Sequence, residues 1–274
     1  MLLVHGDLGV LDRIKSILAS RQIERTDIES MEYLEMVPGL FHVLMACADA
    51  IWRIYLQPKA LHEDPSGIWK QFCLLNPSAQ AKLNTHPGFR IIHDGVDDIL
   101  TARILDCGRI ISKAPSIDAF NKEQPSWDGV KTLASEIHSQ FVMQATHTEN
   151  DIHEGTDNSF SNSCIFLRDA LLYRVLALSM RYGAIGLVED TITQWIPIFK
   201  ATKKHMYAAH MLEFLMRLRA LPERLARAIR LNWLCNPSGR RDGFRAVDWL
   251  VELNNLYIKV SIVVSTVLLL SDVQ

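Results

Sequence analysis

The sequence has few cysteines and no closely spaced pair of them. Five cysteines are scattered singly through 274 residues: Cys47, Cys73, Cys107, Cys164 and Cys235. Their odd number and wide spacing argue against a disulfide framework and a zinc ribbon, and they favour a reducing compartment. We therefore expect an intracellular protein, in the nucleus or the cytoplasm, whose thiols act as small apolar side chains.

The sequence also lacks an apolar run long enough to span a membrane. Its longest uncharged apolar run, residues 260–270, has 11 residues, whereas a spanning helix needs about 20. The first four residues are too few for a signal-peptide core and have no basic leader. We expect no membrane partner, and we predict that residues 259–274 form an apolar tail, either a buried strand or disordered.

Common nucleotide-binding and hydrolase motifs are absent. There is no GxxxxGK[ST], GxGxxG or GxSxG segment, which argues against nucleotide-dependent and serine-hydrolase chemistry. The acidic and histidine-rich stretches 93–98 and 147–157 match neither EF-hand nor zinc spacing. We predict no cofactor and no metal site in these stretches. His42 and His210 lie on largely apolar helices and are expected to be hydrogen-bonded core histidines.

A net charge of −2 conceals a segregation of charge along the chain. Residues 1–195 hold 17 Lys+Arg against 25 Asp+Glu, and residues 196–260 hold 12 against 5. A basic carboxyl-terminal surface could contact nucleic acid or an acidic protein, unless the acidic part of the same chain neutralises it. The candidate nucleic-acid-binding residues are Lys203, Lys204, Arg227, Arg230, Arg240 and Arg241.

Hydrophobic periodicity predicts a mainly α fold. Residues 1–60 have the pattern strand, helix, strand, helix, typical of a small α/β unit. Prolines break residues 61–162 into an irregular helical region, with a polar loop boundary near 147–162. Residues 163–258 contain five amphipathic helices with short connections, which favour antiparallel packing. Residues 259–274 are the apolar tail.

Asp7 is the most notable single carboxylate. It follows the first predicted strand directly and precedes a helix. A metal-dependent phosphoryl-transfer site needs two or three such carboxylates to hold its ions. An N-cap for the following helix is the simpler role.

Several segments, in order over residues 5–259, resemble one protein family. They include His5-Gly-Asp7, Val37-Pro-Gly-Leu-Phe-His42, Phe166-Leu-Arg-Asp-Ala-Leu-Leu-Tyr-Arg174, Gly186-Leu-Val-Glu-Asp190, Asn232-Trp-Leu-Cys-Asn-Pro237 and Val247-Asp-Trp-Leu-Val-Glu252. In these segments the chain resembles the domain of unknown function family numbered 6589, which is abundant in mushroom-forming fungi. Members of that family usually extend further upstream, so the resemblance implies a partial chain.

The order of the elements is also similar to one half of a transposase that has an RNase H-like core and a helical insertion. This second resemblance implies that Asp7 is a metal-binding catalytic carboxylate and that Asp248 or Glu252 supplies a later one. It implies a divalent metal only if the protein is such a nuclease.

Three functions are compatible with the sequence. The leading hypothesis is a non-catalytic helical interaction domain of a degenerate, transposon-derived protein, whose basic face contacts nucleic acid or an acidic partner. One alternative is a metal-dependent nuclease or transposase that uses Asp7. The other is a protein–protein scaffold, in which the basic residues are dispersed around the helices.

Overall fold

The computed structural model describes residues 2–64, 67–85, 87–143 and 158–271. Helices account for most of these residues, which confirms the mainly α fold class. The predicted loop boundary 147–162 lies largely outside the described residues. Its last five positions, 158–162, are helical.

The chain divides by its contacts into two compact units. One unit combines Met1–Cys47 with Leu176–Gln274, and the other is Ala48–Val175. The acidic start of the chain and the basic segment 196–260 therefore belong to the same unit. The domains predicted from the sequence are consecutive segments of the chain. In the structure, by contrast, the first unit contains both the amino-terminal and the carboxyl-terminal segments.

The first unit opens with a strand–helix–strand–helix arrangement, as predicted, with one short extra helix. Its elements are β1 (Leu2–Gly6), α1 (Leu8–Ser20), α2 (Asp27–Ser30), β2 (Leu34–Pro38) and the start of α3 (Leu40–Tyr55). β1 and β2 pair in parallel, from Leu2 opposite Leu34 to Gly6 opposite Pro38. Both strands therefore end at the same edge, where the Gly39 N–H donates to the Gly6 carbonyl oxygen at 2.8 Å.

The remainder of the first unit is helical apart from one small hairpin. After the end of α9 (Asn158–Arg181) come α10 (Ile185–Ala201), α11 (His205–Ala220), α12 (Glu223–Asn232), β3 (Leu234–Cys235), β4 (Arg245–Ala246) and α13 (Val247–Ser271). β3 and β4 pair antiparallel. Trp195, Phe199, Met211 and Ile229 are fully buried, which agrees with the apolar periodicity of these helices.

The predicted strand in the tail is wrong for residues 259–271. α13 continues without a break to Ser271. Neither glycine nor proline occurs between Val247 and Ser271, so no residue in the segment interrupts the helical backbone. None of the helices in the described ranges has both the length and the apolar character that crossing a membrane requires.

The second unit consists of helices and single turns. Its elements are α3 from Ala48 onward, α4 (Ile68–Leu75), α5 (Gln80–Leu83), α6 (Phe89–Ile111), α7 (Ile117–Lys122), α8 (Trp127–Ile137), a π turn (His138–Val142) and most of α9. Two 3-10 turns, Lys59–His62 and Pro77–Ala79, separate the first of these helices. α4 packs directly on α6 at Gly95, where a Cβ atom would overlap the ring of Phe72.

Candidate functional site

The carboxyl ends of β1 and β2 carry several side chains capable of chemistry. His5 lies in β1, Asp7 follows it, and His42 lies in the first turn of α3, just beyond β2. The two strands are parallel, so the residues that follow them lie at one edge of the sheet. Open α/β folds bind their ligands at this edge.

Asp248, from the start of α13, reaches the same edge. Its carboxylate is 5% exposed. Oδ1 accepts a hydrogen bond from the Phe41 N–H at 3.1 Å, and Oδ2 accepts one from the His42 N–H at 3.1 Å. These N–H groups have no partner inside α3, so the carboxylate satisfies them and complements the helix dipole. Gly39 allows this approach, because a Cβ atom there would overlap the Asp248 carboxylate.

The Asp248 carboxylate also orients the imidazole of His42. Oδ2 lies 2.9 Å from His42 Nδ1, and the His42 side chain is 25% exposed. This hydrogen bond is the largest cause of a raised pKa of His42, which burial opposes. The charges of Asp248, Asp7 and Glu252 raise the pKa further. Three carboxylates, from the two ends of the chain, therefore all raise the pKa of one imidazole.

His5 has the opposite electrostatic character. Burial lowers the pKa of His5, and the charge of Asp248 opposes the effect only in part. The pKa values of the two histidines at this edge are therefore shifted in opposite directions. His5 belongs to the sheet, and His42 is the imidazole that Asp248 holds.

Asp7 caps α1. Its Oδ1 accepts a hydrogen bond from the Val10 N–H at 2.8 Å, and the residue is exposed. The N-cap role that the sequence indicates for Asp7 is therefore observed. Capping occupies one carboxylate oxygen, and Oδ2 accepts no hydrogen bond from the described residues.

The carboxylates at this edge do not amount to a preformed metal centre. Across the described ranges, no three His, Cys, Asp or Glu side chains are arranged to hold a metal ion. Both oxygens of Asp248 are already engaged by α3 and His42. A two-metal phosphoryl-transfer site needs several open carboxylates, and only Asp7 and Glu252 are exposed here. We assign no reaction step to a metal ion.

An open groove of about 320 Å³ adjoins this edge. We call it the α13 groove, and it is lined by Phe41, Trp249, Glu252, Leu253, Asn255, Leu256 and Lys259. Its helical members follow one another at steps of about three or four residues, so they form one side of α13. The guanidinium of Arg245 lies 5.9 Å from the centre of the Trp249 ring. Apolar, amide and charged groups therefore meet in one groove.

The predicted nucleic-acid-binding residues have different surroundings. Arg230 forms two hydrogen bonds to Glu189, from Nε to Oε1 at 2.6 Å and from Nη2 to Oε2 at 3.0 Å. The ammonium of Lys204 lies 5.7 Å from the Tyr207 ring centre. The exposed members with no carboxylate in salt-bridge range among the described residues are Lys203, Arg227, Arg240 and Arg241.

Part of the basic charge is neutralised within the first unit. Arg217 pairs with Glu35 at 2.6 Å, and Arg230 pairs with Glu189 at 2.6 Å. Both pairs join an arginine of the basic segment 196–260 to a glutamate of residues 1–195. The acidic segment therefore neutralises some of the basic charge. The exposed arginines of α12 and of the β3–β4 turn have no carboxylate partner among the described residues.

His42, Phe41 and Trp249 were not expected from the sequence to be parts of a site. His42 has the hydrogen bond expected of a core histidine, but its partner is a carboxylate distant in sequence. The segment Gly39-Leu-Phe-His42 between a strand and a helix was the available signal, because a glycine there permits a side chain to approach the start of the helix closely. Trp249 carries no signal of its own, since it is one more aromatic residue on an amphipathic helix.

No curated protein and no solved structure matches the chain. One family model, described as a family of unknown function (DUF6589), matches residues 1–265. This match covers nearly all of both units and all the segments that carry the resemblance described above. The chain belongs to the DUF6589 family.

Proposed function

We propose that this chain is a helical interaction domain of a mobile-element-derived protein that binds nucleic acid through exposed arginines of its first unit. The observation that carries the proposal is a difference between arginines. Arg181, Arg217 and Arg230 are paired with carboxylates. Arg219, Arg224, Arg227, Arg240 and Arg241 are exposed and have no such partner among the described residues.

Three of these arginines cluster at the corner between α11 and α12. Arg219 lies in the last turn of α11, and Arg224 and Arg227 lie in the first turns of α12. Arg224 and Arg227 are three residues apart, so they are neighbours on the helix surface. Guanidinium groups without an anion repel one another, and a phosphate backbone relieves that repulsion while accepting their hydrogen bonds.

A salt titration with a short labelled duplex tests this proposal. Binding by phosphate contacts releases counterions, so log K falls with log salt by about 0.9 for each phosphate contact. We expect the double substitution Arg224→Ala and Arg227→Ala to weaken duplex binding and to reduce that slope by roughly 2. Arg25→Ala is the matched control, because Arg25 is exposed in the same unit, in the turn before α2.

Two outcomes would overturn the proposal. If the double variant bound the duplex with the affinity and salt slope of the control, these arginines would not contact phosphate. If the wild-type chain bound no nucleic acid even at low salt, the protein–protein scaffold would be the better hypothesis.

A phosphodiester-cleaving enzyme of the nuclease or transposase class is a second candidate. The convergence of Asp7, Asp248 and Glu252 on His42 favours it and would suit an RNase H-like unit at the amino-terminal end. It ranks second because the described carboxylates form no metal cluster. In this candidate Asp7 and Glu252 would face the substrate, and Asp248 would position His42.

Plasmid nicking in the presence of Mg²⁺ distinguishes the second candidate. Asp7→Asn is the informative variant, because Asn caps a helix about as well as Asp but removes the charge. We expect it to abolish nicking while the melting temperature stays unchanged, and Glu252→Gln to reduce nicking. Equal nicking by the wild type and Asp7→Asn would eliminate this candidate.

A further inference from the structure

We propose that the α13 groove binds an unpaired nucleotide, with its base stacked against Trp249. The inference rests on the proposed nucleic-acid binding and adds the form that is preferred, a single strand. In the proposed function the exposed arginines of the first unit contact phosphates, which single strands and duplexes share. A groove that takes a base requires that the base be unpaired.

The dimensions and position of the groove suit a nucleotide within a chain. Its volume of about 320 Å³ falls at the lower end of the range for small-molecule sites, about 300–1,000 Å³. The groove is open on one side, which allows the strand to continue in both directions. It lies in the same unit as the exposed arginines.

Aromatic side chains supply a stacking surface. Trp249 is partly exposed and lines the groove together with Phe41. Proteins that bind single strands stack bases on such rings, and the interaction tolerates any base because every base has a π face. Arg245, 5.9 Å from the Trp249 ring centre, places a positive charge beside that ring, where a phosphate of the same strand would be attracted.

The polar groups of the groove match the other parts of a nucleotide. Asn255 has both a donor and an acceptor for a base edge, and Lys259 offers a cation to a phosphate. Both side chains are exposed and make no hydrogen bond or ion pair with the described residues. Glu252 can accept a hydrogen bond from a base amino group. An apolar helix of a partner protein would leave these three polar side chains unmatched.

The groove also connects to the His42 edge. Glu252 lines the groove and its charge acts on His42. The groove and the His42 edge therefore share the carboxylate of Glu252. Binding of a nucleotide to the groove does not require a reaction at that edge.

Two adjacent asparagines provide the test. Asn255 lines the groove and Asn254 does not, and both are exposed on α13. The affinity of the full chain for a short labelled single strand and for the duplex of the same sequence is measured by fluorescence anisotropy. We expect Trp249→Leu and Asn255→Leu to weaken single-strand binding, the first by roughly tenfold. Duplex binding should be unchanged, and Asn254→Leu should change neither affinity.

The outcomes separate this inference from the proposed function. If Asn255→Leu and Asn254→Leu gave the same single-strand affinity, the groove would not hold a base, even if duplex binding still depended on Arg224 and Arg227. A wild-type chain that bound the single strand no more tightly than the duplex would overturn the inference in the same way. Because Asn255 is exposed, its variant should fold even if Trp249→Leu does not.

Discussion

The carboxylate of Asp248 lies 2.9 Å from Nδ1 of His42, although the two residues are 206 positions apart in the sequence. The same carboxylate accepts the backbone N–H groups of Phe41 and His42. One buried side chain of α13 therefore fixes the start of α3, the orientation of an imidazole and the geometry at the end of the parallel strands.

Asp248→Asn should destabilise the first unit strongly. An asparagine at this position keeps one acceptor, but its NH₂ group would face a donor of α3 and leave a buried N–H without an acceptor. The expected loss is about 2–3 kcal/mol in the free energy of unfolding, measured by urea denaturation. Asp190→Asn is the control, because Asp190 is exposed and makes no side-chain hydrogen bond or ion pair with the described residues. Equal stability of the two variants would contradict this role of Asp248.

The stability that His42 contributes should depend on pH. The pKa of His42 is raised above its ordinary value of 6.5, chiefly by the hydrogen bond to Asp248. The contribution is therefore fully present below about pH 6.5 and is lost as the pH rises through the higher folded-state pKa. His42→Gln should lower the free energy of unfolding more at about pH 6 than at about pH 8. A difference that is constant with pH would show that the imidazole is not charged by this contact.

NMR titration of the imidazole provides an independent measurement of the same effect. The titration midpoint of His42 should fall in Asp248→Asn, since the main cause of its raised pKa is removed. The midpoint of His5 should also fall, because the charge of Asp248 raises the pKa of His5 against the effect of burial. An unchanged His42 midpoint would contradict the assigned cause.

Removing only one partner of the ion pair between Arg217 and Glu35 should lower the free energy of unfolding. Glu35 is 2% exposed, and its Oε1 has no hydrogen-bond partner in the described part of the chain. Burial raises the pKa of Glu35 and Arg217 opposes the effect. Arg217→Ala should therefore cost roughly 2 kcal/mol near pH 7, less than for a fully buried pair because Arg217 is partly exposed.

The sign of the pH effect and a second substitution test this pair. A carboxyl with a raised pKa contributes least to stability when it is charged, so the loss in Arg217→Ala should shrink as the pH falls towards about 5. Glu35→Gln in the Arg217→Ala background should recover part of the stability, as a double-mutant cycle would show. Additive effects of the two substitutions would contradict the pairing.

Gly39→Ala should destabilise the protein, whereas Gly186→Ala should not. An added Cβ at Gly39 would overlap the Asp248 carboxylate, and a Cβ at Gly186 meets nothing within 4 Å. We expect a loss of about 1–3 kcal/mol at Gly39. At Gly186, which lies in the first turn of α10, we expect little change or a gain of up to about 1 kcal/mol. Thermal unfolding of the two variants provides the comparison.

Much of the fold could be predicted from local patterns. The apolar periodicity gave the strand–helix–strand–helix order of the first 60 residues and the succession of helices after residue 163, because these elements depend on residues three or four positions apart or alternating along a strand. The prediction failed where a local pattern permits two structures. The apolar run after Lys259 has β-branched residues typical of a strand, and α13 continues through it instead.

The contacts within the candidate site could not be predicted from local sequence patterns. Sequence alone selected Asp7, Asp248 and Glu252 through a family resemblance and selected the basic residues through charge, but it could not determine which of them meet or pair. Arg230 and Arg227 look equivalent in the sequence, yet Glu189 binds only Arg230. Whether a charged side chain is paired depends on residues distant in the chain.

The sequence by itself therefore determined the helical character of this chain, the capping of α1 by Asp7 and the family to which the chain belongs. Tertiary structure alone decided that Asp248 holds His42, that Phe41 and Trp249 line one groove, and that acidic and basic segments share a unit. Helices and caps are set by interactions within a few residues. A hydrogen bond across 206 positions exists only after the two ends of the chain have packed together.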